Sequence, residues 1–120
     1  MNITEKTLEF FETNITLLKA EILKLTKDLR KDEAVFIRIK LNVYEIFKTV
    51  FITANKLNNG NENKTKEFFL NKLKEIPENW EVSRIKAVEH GETDKVHIEN
   101  LKLEAAEHIK SNFLNIWKEI

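Results

Sequence analysis

The chain of 120 residues contains no cysteine, one proline and two glycines. Without cysteine it has no disulfide, no thiolate nucleophile and no zinc–thiolate site. Hairpins and tight turns depend on glycine and proline, so the scarcity of both excludes an all-β fold. The chain also lacks a net charge, because 20 basic residues balance 20 acidic ones. We therefore expect no electrostatic attraction to nucleic acid or to an anionic membrane.

Long apolar segments are missing as well, since no stretch approaches the roughly 18 uncharged apolar residues that span a bilayer. The first twelve residues carry three glutamates in place of the apolar core of a secretion signal. The content of 42% hydrophobic and 33% charged residues is typical of a folded domain. We expect one soluble domain, spanning residues 1–120, in the cytoplasm.

From Leu8 onward, apolar residues recur at alternating steps of three and four, which indicates a narrow stripe along a helix. The same register continues to Leu57, with Asp32 and Thr53 as the only polar residues on it. One interpretation is a continuous helix over residues 4–57 in a coiled-coil-like dimer. Such a helix would be roughly 80 Å long, which is too long for a monomer of this size.

The interpretation that we prefer has the chain turn back near Asp32, which would serve as the N-cap of a second helix. The apolar face widens after this point, and the flanking positions lack the complementary charges of a two-stranded coiled coil. A wide apolar face is buried by several neighbouring helices. The sequence therefore predicts an antiparallel bundle in which each helix packs against more than one other.

Two further turns are predicted in the second half of the chain. An asparagine-rich segment with Gly60 forms a linker over residues 58–64, and His90 with Gly91 ends a later helix. Pro77 is expected to stop one short helix and to open the next. The predicted fold is all-α, with three long helices and two short ones, at about 4–30, 33–58, 65–76, 78–90 and 94–119. We expect Trp80 and Trp117 near the ends or margins of the bundle.

Three residues of the last predicted helix have the chemistry of metal ligands. His97, Glu104 and His108 are spaced by seven and four residues, so they project from nearly the same face. Imidazole and carboxylate groups on bundle helices hold divalent transition metals in many proteins. The Glu-x-x-His pairs of di-iron bundles and the His-Glu-x-x-His motif of zinc proteases are both absent from the sequence. A solvated polar face is the simpler interpretation, and we expect no cofactor.

Other reactive or nucleic-acid-binding sites have little support. Neither serine lies in a nucleophile elbow, and the two isolated glycines form no phosphate-binding loop. The two short helices that meet at Pro77 resemble a helix-turn-helix, but the candidate recognition helix carries three acidic residues against two basic ones. We predict no catalytic residue and no nucleic-acid or membrane partner.

Helix 1 carries two apolar residues, Phe10 and Leu17, beside its main stripe and seven positions apart. A helix with two apolar sides packs between neighbours, and in a small bundle the outermost neighbour is often another copy of the chain. We predict a homodimer with Phe10 and Leu17 at or near the interface. The leading functional hypothesis is a non-catalytic helical module that binds itself or another protein. The alternative is a metal-binding bundle or a metal-dependent enzyme that uses His97, Glu104 and His108.

Overall fold

In a computed structural model that describes all 120 residues, the chain forms four helices and no strand. They are α1 (Ile3–Lys27), α2 (Lys31–Leu57), α3 (Glu62–Glu89) and α4 (Thr93–Ile116). The predicted all-α class is confirmed, whereas the predicted count of three long helices and two short ones is wrong. None of the four helices combines the length and the hydropathy needed to cross a membrane.

The turn between α1 and α2 replaces the alternative of one helix over residues 4–57. Leu29 adopts the left-handed conformation with φ of 59°, and the Arg30 N–H donates to the Leu25 carbonyl over 2.9 Å. This is the hydrogen-bond pattern that glycine ordinarily provides at a helix end. Asp32 is not the N-cap as predicted: α2 begins at Lys31, and Asp32 lies in its first turn. There its negative charge interacts favourably with the helix dipole.

Pro77 does not end a helix, contrary to the prediction, because α3 runs without a break through it. Proline removes one backbone hydrogen bond and strains the preceding turn, but packing on both sides of this turn can offset that cost. Phe69 and Leu73 are buried before Pro77, and Ala87 is buried after it. These three residues and Trp80 share one side of a single long helix. The helix pair expected at Pro77, and with it the helix-turn-helix, does not exist.

The four helices form a flattened bundle in which α2 and α4 lie side by side at the centre. Helix α1 packs against both of them on one side and α3 on the other, and α1 reaches α3 only through side chains, where the rings of Phe11 and Phe69 meet edge to face with centroids 6.3 Å apart. The molecule accordingly measures 44 × 36 × 21 Å, with a radius of gyration of 15.8 Å. A compact chain of this length would have a radius of gyration of roughly 13–14 Å. Helix α1 is therefore a corner of the bundle with one side turned outward.

The core is rich in aromatic rings. The rings of Phe69 and Phe113 meet edge to face with centroids 4.4 Å apart, and Trp117 stacks on Phe113. Trp117 lies at the C-terminal end of α4 and is fully buried there, while Trp80 is half-buried against Phe47. The Trp117 indole N–H donates to the Thr7 hydroxyl over 2.8 Å. This hydrogen bond joins the two ends of the chain.

The heptad register of α1 does not continue through α2. On α1 the expected stripe is buried, including Phe11, Ile15 and Ile22. On α2 the best buried side chains are Phe47 and Phe51, which lie beside the stripe on the wide face. Ile46 and Leu57, which lie on the stripe, are exposed. The wide-face interpretation of α2 is thus the correct one.

Candidate functional site

A cavity of about 270 Å³ lies between α1, α2 and α4 and is lined by six polar side chains. Its apolar wall consists of Leu17 and Leu18 from α1 with Ala105 from α4. The polar lining includes residues that can donate, accept or exchange a proton: Glu21, Lys40, Tyr44, Glu104 and His108. We refer to this as the central cavity. It forms because α1 touches α4 only along part of its length.

The Tyr44 hydroxyl and the His108 imidazole meet in the central cavity by a hydrogen bond that links α2 to α4. Tyr44 is only 5% exposed, and its burial raises the pKa of the phenol to about 12. The phenol therefore stays protonated at neutral pH, and its hydroxyl shares this hydrogen bond with Nδ1 of His108. The phenol also fixes the orientation of His108.

The three candidate metal ligands on α4 are not brought together. Glu104 and His108 line the central cavity, but His97 lies against Phe36 and lines a second cavity with Asp32 and Asp94. Seven residues are two helical turns, or about 10 Å along the axis, so residues on one face need not share one site. No group of three or more histidine, aspartate or glutamate side chains lies close enough to hold a metal ion.

The two predicted interface residues have different environments. Phe10 is half-buried within its own chain, where its ring packs against Phe11, Tyr44 and His108. Leu17 is 63% exposed. The second apolar strip of α1 is therefore packed inside the chain at Phe10, whereas Leu17 lies at the rim of the central cavity and is largely open to solvent.

The side of α1 that points away from the bundle carries no charge over three helical turns. Its residues fall within about 60° of the direction opposite the core stripe, and all are exposed. We call this set the outward face of α1: Thr13, Thr16, Leu17, Ala20 and Leu23. Lys6 and Glu9 precede it on the same side, and Lys24 and Lys27 follow it. An exposed helix surface of this length ordinarily contains several charged residues.

Sequence reasoning missed three polar residues of interest. Tyr44 and Lys40 complete the central cavity, and their positions on the wide face of α2 were the available signal. Glu99 is buried on α4, where one carboxylate oxygen accepts from Lys102 over 3.2 Å and the other has no partner. Glu99 lines none of the larger cavities, and nothing in its sequence position distinguishes it from the solvated glutamates around it.

Comparison with protein-family models, with curated proteins and with solved structures finds no match for this chain.

Proposed function

We propose that this protein is a non-catalytic helical interaction module that self-associates through the outward face of α1. The observation that carries the proposal is the absence of charge on Thr13, Thr16, Leu17, Ala20 and Leu23, all of which are exposed. Leu17 and Leu23 are each more than 60% exposed, so folding of the single chain makes little use of them. Burying an exposed leucine stabilises a complex by ~1.5–3 kcal/mol.

The expected complex is a weak dimer. One helix face buries less than the roughly 1,200 Å² of total surface at which stable interfaces begin. Its small residues, Thr16 and Ala20, allow two helix backbones to approach closely but contribute little apolar area. A dimer that dissociates in the micromolar range follows from these two features. Regulated or transient assembly suits such an affinity better than permanent association.

The test is the molar mass of the purified protein by light scattering over a range of micromolar concentrations. We expect the mass to rise from that of a monomer to that of a dimer, and Leu17→Glu to prevent the rise because it places a charge in the interface. Leu57→Glu is the matched control, since Leu57 at the end of α2 is as exposed as Leu17. A wild-type chain that stays monomeric at every concentration, or an equal effect of both variants, would contradict self-association through α1.

A second candidate function, binding of a divalent transition metal, is supported by the common location of Glu104 and His108 in the central cavity. It would need further ligands from water or from another molecule, because a zinc site ordinarily has three or four. Elemental analysis of the purified protein and of His108→Ala tests it. Stoichiometric metal that is lost in the variant would support metal binding, and its absence from both would favour the interaction module.

A further inference from the structure

We infer that the partner of the outward face of α1 is a second copy of this chain in antiparallel orientation, held by ion pairs between Glu9 of one copy and Lys27 of the other. This inference rests on the proposed self-association and adds its geometry. The argument for it is the complementary charge of Glu9 and Lys27, whose side chains leave α1 in the same direction at opposite ends of the outward face. Both residues are exposed, and neither takes part in an ion pair within the chain.

The spacing of the two residues makes the pairing possible. Glu9 and Lys27 are separated by about five whole turns, so their side chains leave α1 in the same direction. The midpoint between them falls beside Leu17, within the uncharged part of the outward face. When a two-fold axis passes through this point, Glu9 of each copy lies opposite Lys27 of the other. Two symmetric ion pairs then border the uncharged centre.

The same two-fold arrangement aligns the central residues of the outward face with compatible residues of the other copy. Leu17 lies close to its own symmetry mate, because residues beside the axis meet themselves in an isologous interface. Thr16 lies opposite Ala20 of the other copy, and two small residues at the crossing point allow close approach of the helices. In a parallel pair, by contrast, Glu9 would face Glu9 and Lys27 would face Lys27. Like charges in contact disfavour that orientation.

The other exposed apolar strip of the molecule does not offer a self-complementary surface. On the outer side of α3, Val82 and Ile85 are about half exposed. Glu78 precedes them and Glu89 follows them at nearly equal distances. A two-fold pair of α3 helices would therefore set glutamate against glutamate at both ends. Self-association through this strip is opposed by its charges, whereas self-association through α1 is favoured by them.

The first test is charge reversal, measured as the dimer dissociation constant by sedimentation equilibrium at low salt. Glu9→Lys and Lys27→Glu each replace two ion pairs with two like-charge contacts, so each should raise the dissociation constant by roughly 3–10-fold. The double variant Glu9→Lys/Lys27→Glu restores both pairs with reversed sign and should return the constant to within about twofold of wild type. Glu67→Lys, at an exposed position on α3 that takes part in no ion pair, provides a control for the change in net charge. Single variants without effect, or a double variant as weak as the single ones, would overturn the antiparallel pairing.

The second test measures orientation directly. Because the chain has no cysteine, Lys6→Cys introduces one labelling site for a spin label. In the antiparallel pair the two-fold axis crosses α1 at the height of residue 18, so the two labelled positions lie about 36 Å apart along the helix axis. In a parallel pair they lie within about 10 Å of each other. A distance near the longer value by pulsed electron resonance supports the inference, and one near the shorter value overturns it. In that second case the dimer itself, and so the proposed function, remains. A wild-type chain that is monomeric at all concentrations overturns both.

Discussion

The hydrogen bond between Trp117 and Thr7 allows a quantitative test of how the first and last helices hold together. Thr7 is 1% exposed, accepts from the indole N–H over 2.8 Å, and donates its own proton to the Ile3 carbonyl over 2.8 Å. Thr7→Val keeps the shape of the side chain but removes the acceptor. The indole N–H is then buried without a partner, which costs ~1–3 kcal/mol. We expect Thr7→Val to lower the free energy of unfolding by that amount.

Measuring Thr7→Val again in a protein that already carries Trp117→Phe separates the loss of the hydrogen bond from a simple packing effect. Trp117→Phe removes the indole N–H and destabilises the protein by leaving space in the core. In the Trp117→Phe background, Thr7→Val leaves no N–H unsatisfied and replaces a buried hydroxyl with a methyl group. Its cost should therefore fall to zero or become a small gain. The coupling energy between the two positions is expected to be ~1–2 kcal/mol.

The measurement is urea unfolding of the four proteins followed by far-ultraviolet circular dichroism, at one protein concentration because the chain is proposed to dimerise. For a domain of this size, 1 kcal/mol corresponds to a shift of the melting temperature by about 3–6 °C, which is readily measured. The reasoning is refuted if Thr7→Val costs the same in both backgrounds. That result would mean that the hydroxyl acts through packing alone and that the indole N–H finds another acceptor.

Three more predictions concern single residues. Leu29→Gly should raise the free energy of unfolding by ~0.5–1 kcal/mol in urea, because Leu29 is 80% exposed and has a φ of 59° that glycine adopts without strain; a loss of stability would contradict this. Pro77→Ala should stabilise the protein by ~1–3 kcal/mol in the same assay, because α3 is continuous through this position; a change near zero would contradict this. Tyr44, the only tyrosine, should ionise near pH 12 instead of 10 when its absorbance at 295 nm is followed. Because folding raises this pKa, the contribution of the protonated phenol to the free energy of unfolding is complete below about pH 10 and is lost as the pH rises towards 12. Ionisation of Tyr44 near pH 10 while the protein is still helical would contradict burial of the phenol.

The fold class could be predicted because apolar periodicity and the scarcity of turn residues both reflect local backbone preferences. The turn near Asp32 could be predicted from the widening of the apolar face. The residue that adopts the left-handed conformation in this turn is Leu29, and nothing about a leucine in the sequence predicts that conformation. Pro77 was misinterpreted because the local cost of proline can be offset by packing at distant positions such as Phe69 and Ala87. Such compensation is a tertiary effect and is invisible in a window of sequence.

For the candidate sites, too, local spacing could be predicted from the sequence, whereas contacts between helices could not. Helical spacing predicts that Glu104 and His108 lie near each other, since four residues are about one turn, and both line the central cavity. It could not show that Tyr44 would come from α2 to hold His108, because that contact depends on how two helices pack. His97 satisfied the same periodicity and still lies in a different cavity. Periodicity thus determines the direction of a side chain, while the distance along the helix and the neighbouring helix determine its site.

The outward face of α1 is informative because folding places no demand on it. A side chain that faces solvent contributes little to the stability of the single chain, so any polar or charged residue would serve there. One-third of the residues in this chain are charged, yet five exposed positions on one side of α1 have none, and Glu9 and Lys27, which have opposite charges, lie beyond its two ends. Stability of the monomer does not account for that pattern. A surface that is uncharged in the middle and complementary at its ends has the pattern expected of a helix that meets an inverted copy of itself.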